Sequence, residues 1–207
     1  NYRGSSGFGR EFRNLLNRNW GIADVMDCVM GAQFLVDNGL VDEDKLIIRG
    51  GSAGGFTALS AIAFHDLFKA GASYYGVSDL LDLAKDTHKF EARYLDRLIG
   101  PLSESRDNYF DRSPINSLQT LSAPIIFFQG LEDEVVPASQ TESMVKALKE
   151  KGVPVAYVPF AQEQHGFRRA ESIIRAHEAE LFFYSQLLAF PIDGKFDPIE
   201  IFNYKPS

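Results

Sequence analysis

Ser52 lies in Gly50-Gly51-Ser52-Ala53-Gly54, a G-x-S-x-G pattern. A serine on a sharp strand-to-helix turn can present its hydroxyl to a carbonyl carbon, and such a turn needs small neighbours so that the backbone can fold tightly. Gly50, Gly54 and Gly55 are those neighbours. The hydroxyl is a poor nucleophile until a base takes its proton, which calls for a histidine nearby. Four histidines are available. His65 ends the segment after the serine, His88 falls in an irregular stretch, and His177 sits on the solvated face of a long helical pattern. His165 differs, because it directly follows the last apolar run, in Glu163-Gln164-His165-Gly166-Phe167. In an open parallel sheet, chemistry gathers at the carboxyl ends of the strands. His165 is therefore the expected base.

An acid that orients the base should follow the preceding strand. Gly130-Leu131-Glu132-Asp133-Glu134-Val135-Val136-Pro137 stands there, directly after the apolar run PIIFFQ. Glu132, Asp133 and Glu134 all have the right chemistry, and two of the three are expected to be solvated. The order serine, acid, histidine, at the ends of three successive parallel strands, separates this scaffold from other serine hydrolase folds.

The elements that must carry these residues alternate along the chain. Residues 1–10 are rich in Gly and Ser and read as a loop, with Asn1 and Tyr2 closing a strand. Ile22, Val25, Met26, Val29, Met30 and Phe34 recur at three- and four-residue steps, which predicts an amphipathic helix ending near Gly39. Residues 46–48 read as a buried strand and 53–64 as a buried helix. A strand over 70–75 follows, then irregular helices over 79–111 broken at Gly100-Pro101. Next come a strand at 124–129, a helix at 139–149 capped by Gly152, and a strand at 153–160 with prolines near its ends. A long helix over 168–190 precedes a tail over 191–207. Strands separated by helices of this length give βαβ units, hence an α/β fold whose mostly parallel sheet has helices on both faces.

Composition sets the bounds. The 207 residues suffice for one sizeable core, with 45% apolar and 24% charged residues, as in a globular protein. The formal net charge of −7 disfavours nucleic acid and anionic membrane as partners. No apolar run reaches the roughly 18 residues of a membrane helix. A single cysteine, Cys28, excludes an internal disulfide and fits a reducing, cytoplasmic setting. No Cys/His cluster calls for a metal, and the chemistry above needs no cofactor.

Several stretches together resemble the prolyl oligopeptidase family of serine peptidases, more narrowly its dipeptidyl- and acylaminoacyl-peptidase branch. They are Asn1 through Gly9 (NYRGSSGFG), Gly50 through Gly55, Tyr75-Gly76-Val77-Ser78-Asp79, Gln129 through Pro137, and Gln164-His165-Gly166-Phe167. The resemblance runs to about Phe190. It implies an α/β-hydrolase catalytic domain, with residues 1–190 its C-terminal portion and 191–207 a tail. It implies Ser52 as the acyl-forming nucleophile, Asp133 as the acid, His165 as the base and the Ala53 N–H as one oxyanion donor. It also places Val77 and Val136 beside the pocket for the residue before the scissile bond, in a peptidase acting on short peptides. The family further implies a β-propeller, the first strands of the sheet and a second oxyanion donor upstream of Asn1. A sheet lacking those strands would expose apolar surface and favour self-association into a homo-oligomer. The alternatives are a carboxylesterase or lipase on the same scaffold, and a catalytically incomplete fragment. A phosphate-binding α/β turn is a third, but it needs neither His165 nor Asp133.

Overall fold

The computed structural model describes residues 1–86 and 93–205. Its frame is a four-stranded sheet in the order β1-β2-β3-β4, formed by Ile47–Gly51, Ala70–Tyr74, Ile125–Gly130 and Val155–Phe160. Every neighbouring pair is parallel, with Ile47 opposite Ala70, Gly71 opposite Ile125, and Ile125 opposite Val155. The helices are α1 (Gly9–Asn14), α2 (Ala23–Asp37), α3 (Ala53–Phe64), α4 (Leu80–Asp86), α5 (Tyr94–Leu98), α6 (Leu102–Asp111), α7 (Ala138–Lys151) and α8 (Ala170–Leu188).

A strand buried on both faces shows no alternation of apolar and polar residues. IIFFQG does so in β3, where all six residues are buried. The odd-numbered face, with Ile125 and Phe127, packs with Leu59 and Ile62 of α3 and Met144 and Leu148 of α7. On the other face Ile126 and Phe128 pack with Ala176, Ala179 and Phe183 of α8. A third cluster lies over the carboxyl end of the sheet. There Leu80, Leu95, Leu98 and Tyr109 from the short helices meet Trp20, Phe56, Val77 and Val136.

The α/β expectation holds: a parallel sheet has helices on both faces. Three expectations need correcting. Residues 1–10 are more than a loop, since a 3-10 turn over Ser6–Phe8 runs into α1, while Asn1 and Tyr2 belong to no strand. The α2 pattern does not bury all its apolar residues. Val25 is buried, whereas Ile22, Met30 and Phe34 are exposed, because α3 covers one side of the helix only. The strands preceding Ser52, Asp133 and His165 are not successive either, because β2 lies between β1 and β3. His88 lies outside the described residues. The described residues of the tail form no helix, but Phe202 bridges Val155 on the outer edge of β4, and Asn203 donates to the Lys149 and Val153 carbonyls.

Candidate active site

Each strand delivers a residue to one end of the sheet: Ser52 after β1, Val77 after β2, Asp133 after β3 and His165 after β4. Ser52 has φ 53 and ψ −120, a positive-φ conformation costly for a residue with a Cβ. The turn is held by the Ser52 N–H donating to the Tyr74 carbonyl at 2.9 Å, and by Phe56 N–H donating to the Ser52 carbonyl at 3.1 Å. α3 starts at the next residue. Ala53 is exposed, and its N–H belongs to the first helical turn, whose N–H groups have no partner within the helix. Such groups can receive a developing negative charge.

His165 joins Ser52 to Asp133. Its Nε2 is 2.7 Å from Ser52 Oγ, and its Nδ1 is 2.8 Å from Asp133 Oδ2. The Asp133 side chain is fully buried. Four donors surround the carboxylate: His165 Nδ1 and Gln129 Nε2 on Oδ2, and the Val135 and Val136 N–H groups on Oδ1 at 2.9 and 2.8 Å. Glu132 and Glu134 on either side are exposed. A carboxylate fixed in this way is an acceptor that selects the His165 tautomer with its proton on Nδ1. Nε2 is then a lone-pair acceptor facing the serine hydroxyl. The arrangement can take a proton from Ser52 as its oxygen attacks a carbonyl.

A pocket of about 410 Å³ opens beside Ser52, Ala53 and His165. Its walls include Trp20, Val77, Leu95, Val135 and Val136, none of them charged. Val77 and Val136 are both buried. Trp20 packs against Phe56 at 4.4 Å between ring centroids, with the rings tilted by 48°. Nothing in its local sequence marks it, because it reaches the pocket from the turn before α2. Tyr75 escapes the sequence for a similar reason. It takes φ 40 at the end of β2 and sets its ring edge-on to the His165 imidazole at 4.9 Å. A second cavity, about 440 Å³, lies behind Tyr75 and is lined by Arg49, Gly51, Phe167 and His177, but neither Ser52 nor His165 lines it. Among the described residues no group of acids, histidines and cysteines is placed to hold a metal, and no helix is long and apolar enough to cross a membrane.

The family model for Peptidase_S9, the prolyl oligopeptidase family, matches residues 1–190. Dipeptidyl aminopeptidase BIII of Pseudoxanthomonas mexicana is 31% identical over 205 residues, which span 96% of this chain and 29% of that protein. Among solved structures, a puromycin-hydrolyzing peptidase of Mycobacterium tuberculosis superposes with a TM-score of 0.94 at 48% identity, over 98% of this chain and 31% of that one. An acylaminoacyl peptidase in complex with Z-Gly-Gly-Phe-chloromethyl ketone superposes with a TM-score of 0.84 at 27% identity, over 94% of this chain and 32% of that one. The chain thus spans under a third of the length of each of these relatives.

Proposed function

The chain belongs to the prolyl oligopeptidase family, and we propose that it carries the catalytic residues of a serine-type peptidase that cleaves short peptides through an acyl-enzyme. The observation that supports this reading is the unbroken series from Asp133 through His165 to Ser52, at 2.8 and 2.7 Å. In the proposed cycle His165 Nε2 takes the Ser52 proton while Oγ bonds to the substrate carbonyl carbon. Asp133 holds the imidazole and stabilises its charged form. The Ala53 N–H stabilises the oxyanion, an interaction worth about 3–4 kcal/mol per donor. The tetrahedral intermediate then expels the amine, which His165 protonates. Water, activated by the same base, releases the acid and restores Ser52.

Val77 and Val136 form the near walls of the pocket for the residue before the scissile bond. An uncharged pocket of this size suits an apolar side chain, since burying a charge there would cost several kcal/mol. Puromycin belongs in the substrate panel because a relative at 48% identity hydrolyses it.

Intact mass after incubation with a fluorophosphonate, on the wild type and on Ser52→Ala, tests the reading. One adduct on the wild type and none on the variant is the expected result. A folded wild type that stays unlabelled overturns it. Relative rates on peptide amides and small esters then separate a peptidase from a carboxylesterase on the same scaffold.

A further inference from the structure

His165 sits at the tip of the loop between β4 and α8, and a loop of this length can present an imidazole in many directions. Within this loop lies a carboxylate that the proposed mechanism does not use. Glu163 is buried, at 3% exposure. Its Oε2 accepts the Arg168 N–H at 3.0 Å and its Oε1 accepts the Arg169 N–H at 3.0 Å. The carboxylate thereby closes residues 163–169 into a ring, with His165 on the far side. Gln164 and Gly166 bridge each other directly across the histidine. Gly166 takes φ 91, which tightens the tip further.

The same residue ties the loop to the rest of the site through its backbone. The Glu163 N–H donates to the Phe160 carbonyl, and its own carbonyl accepts the Glu132 N–H at 3.0 Å. Glu132 precedes Asp133, so the acid loop and the base loop are stitched together at this point. Contact there is tight: a Cβ on Gly130 would lie 2.6 Å from the Glu163 carbonyl carbon and 2.5 Å from the Gln164 carbonyl oxygen. A buried carboxylate is costly unless well partnered. Burial works to raise the Glu163 carboxyl, but the Arg168 and Arg169 N–H groups and the Ser172 hydroxyl hold it below the ordinary glutamate range. These donors lie at the start of the 19-residue α8, whose positive end favours an anion.

We infer that Glu163 is a positioning residue for His165: its carboxylate sets the loop so that one ring nitrogen meets Asp133 while the other meets Ser52. This rests on the reading of His165 as the base. A residue that merely caps α8 would affect stability alone, whereas a positioning residue also alters turnover in the folded protein.

The test compares the full chain as wild type, Glu163→Gln and Glu163→Ala. The readouts are fluorophosphonate labelling rate, kcat and KM on a peptide amide, and the low-field proton resonance of the His165–Asp133 hydrogen bond. Glu163→Ala is expected to label about 10²-fold more slowly, the scale of a misplacement near 1 Å. Its KM should be unchanged and its low-field resonance lost or displaced. Glu163→Gln keeps one acceptor oxygen and should fall between. Should Glu163→Ala fail to fold, the glutamine variant decides by the same criteria. Folded variants with wild-type labelling and an unmoved resonance would overturn the positioning role and leave the peptidase reading standing. A wild type that does not label would overturn that reading, and the positioning role with it.

Discussion

Gly50 and Gly54 meet across the turn that carries Ser52: a Cβ on Gly50 would collide with the Gly54 carbonyl and lie 2.9 Å from the Gly55 nitrogen. Gly55 is constrained in turn, because a Cβ there would lie 2.7 Å from the Gly76 Cα. Gly50 and Gly55 are thus required by contact between backbones, whereas a Cβ on Gly54 would meet nothing, so the expectation that Gly54 must be small does not hold. Gly50→Ala is expected to destabilise the chain by about 1–3 kcal/mol, as overpacking does. It should also abolish Ser52 labelling, because the turn cannot open without moving Oγ off His165. Thermal unfolding and intact mass check both, and labelling at the wild-type rate would contradict the contact argument.

The conformation of Ser52 itself makes a second prediction. At φ 53 and ψ −120 a side chain costs roughly 1–3 kcal/mol of strain, which glycine avoids at an unfolded-state entropy cost of about 0.4–1 kcal/mol. Ser52→Gly and Ser52→Ala both lose the nucleophile. The glycine variant is expected to be the more stable of the two by roughly 1 kcal/mol. Equal melting temperatures would mean that the turn stores no strain.

Asp133→Asn should leave the fold intact and reduce turnover about 10⁴-fold, the scale known for this change in a serine protease triad. The asparagine oxygen would still accept from Val135 and Val136, which leaves its NH₂ facing His165 Nδ1. Donor then meets donor unless the imidazole adopts the other tautomer, and that tautomer cannot take the Ser52 proton. Glu132→Gln and Glu134→Gln, on exposed side chains, should leave kcat within a few-fold of wild type. A large loss in either, with Asp133→Asn active, would move the acid to a different residue.

Ser52, Asp133 and His165 could be picked from the sequence as candidates that meet because each follows an apolar strand, and the parallel sheet brings strand ends together. Ser52 is also marked by the glycines its turn requires. Asp133 needed more than residue chemistry, since Glu132 and Glu134 flank it with the same charge; in the sequence the family resemblance alone separates them, and in the structure its burial against four donors does. Trp20 and Tyr75 were illegible for another reason. Trp20 reaches the pocket through packing on Phe56, a residue 36 positions away in the sequence, and the positive φ of Tyr75 falls on a residue type that gives no warning of it. Periodicity located α2 but identifies apolar residues without telling which of them a neighbour will cover, and Met30 and Phe34 are left exposed.

The pocket offers a prediction about selectivity. Val77 and Val136 stand on the wall shared with Ser52 and His165. Val77→Phe would fill part of the space while leaving Ser52, His165 and Asp133 unchanged. The expected result is a loss of roughly 10-fold or more in kcat/KM for a substrate with phenylalanine before the scissile bond, and a smaller loss for alanine. Fluorophosphonate labelling, which does not need that pocket, should be nearly unchanged. A uniform fall across substrates would show that Val77 serves the core and does not select the side chain.

Asp24 gives the pH dependence. It is fully buried at the start of α2, where it accepts the Gly21 N–H at 2.7 Å and the Thr57 hydroxyl at 2.5 Å. Burial pushes its carboxyl above the ordinary aspartate range, and the bonds from Thr57 and Gly21 only partly offset this. The folded chain therefore holds this proton more tightly than the unfolded one. As pH rises, the unfolded chain ionises first, so the contribution of Asp24 to stability falls until the folded group has ionised too, and stays low above that. Asparagine keeps both contacts without the charge: its oxygen accepts from Gly21, its NH₂ donates to Thr57 Oγ1, and the hydroxyl proton turns to the Ala53 carbonyl at 3.1 Å. Asp24→Asn is expected to melt above the wild type at neutral pH, with the gap closing as acid protonates Asp24 in both states. A gap that is constant with pH, or widens in acid, would mean that burial of this charge does not govern the region behind Ser52.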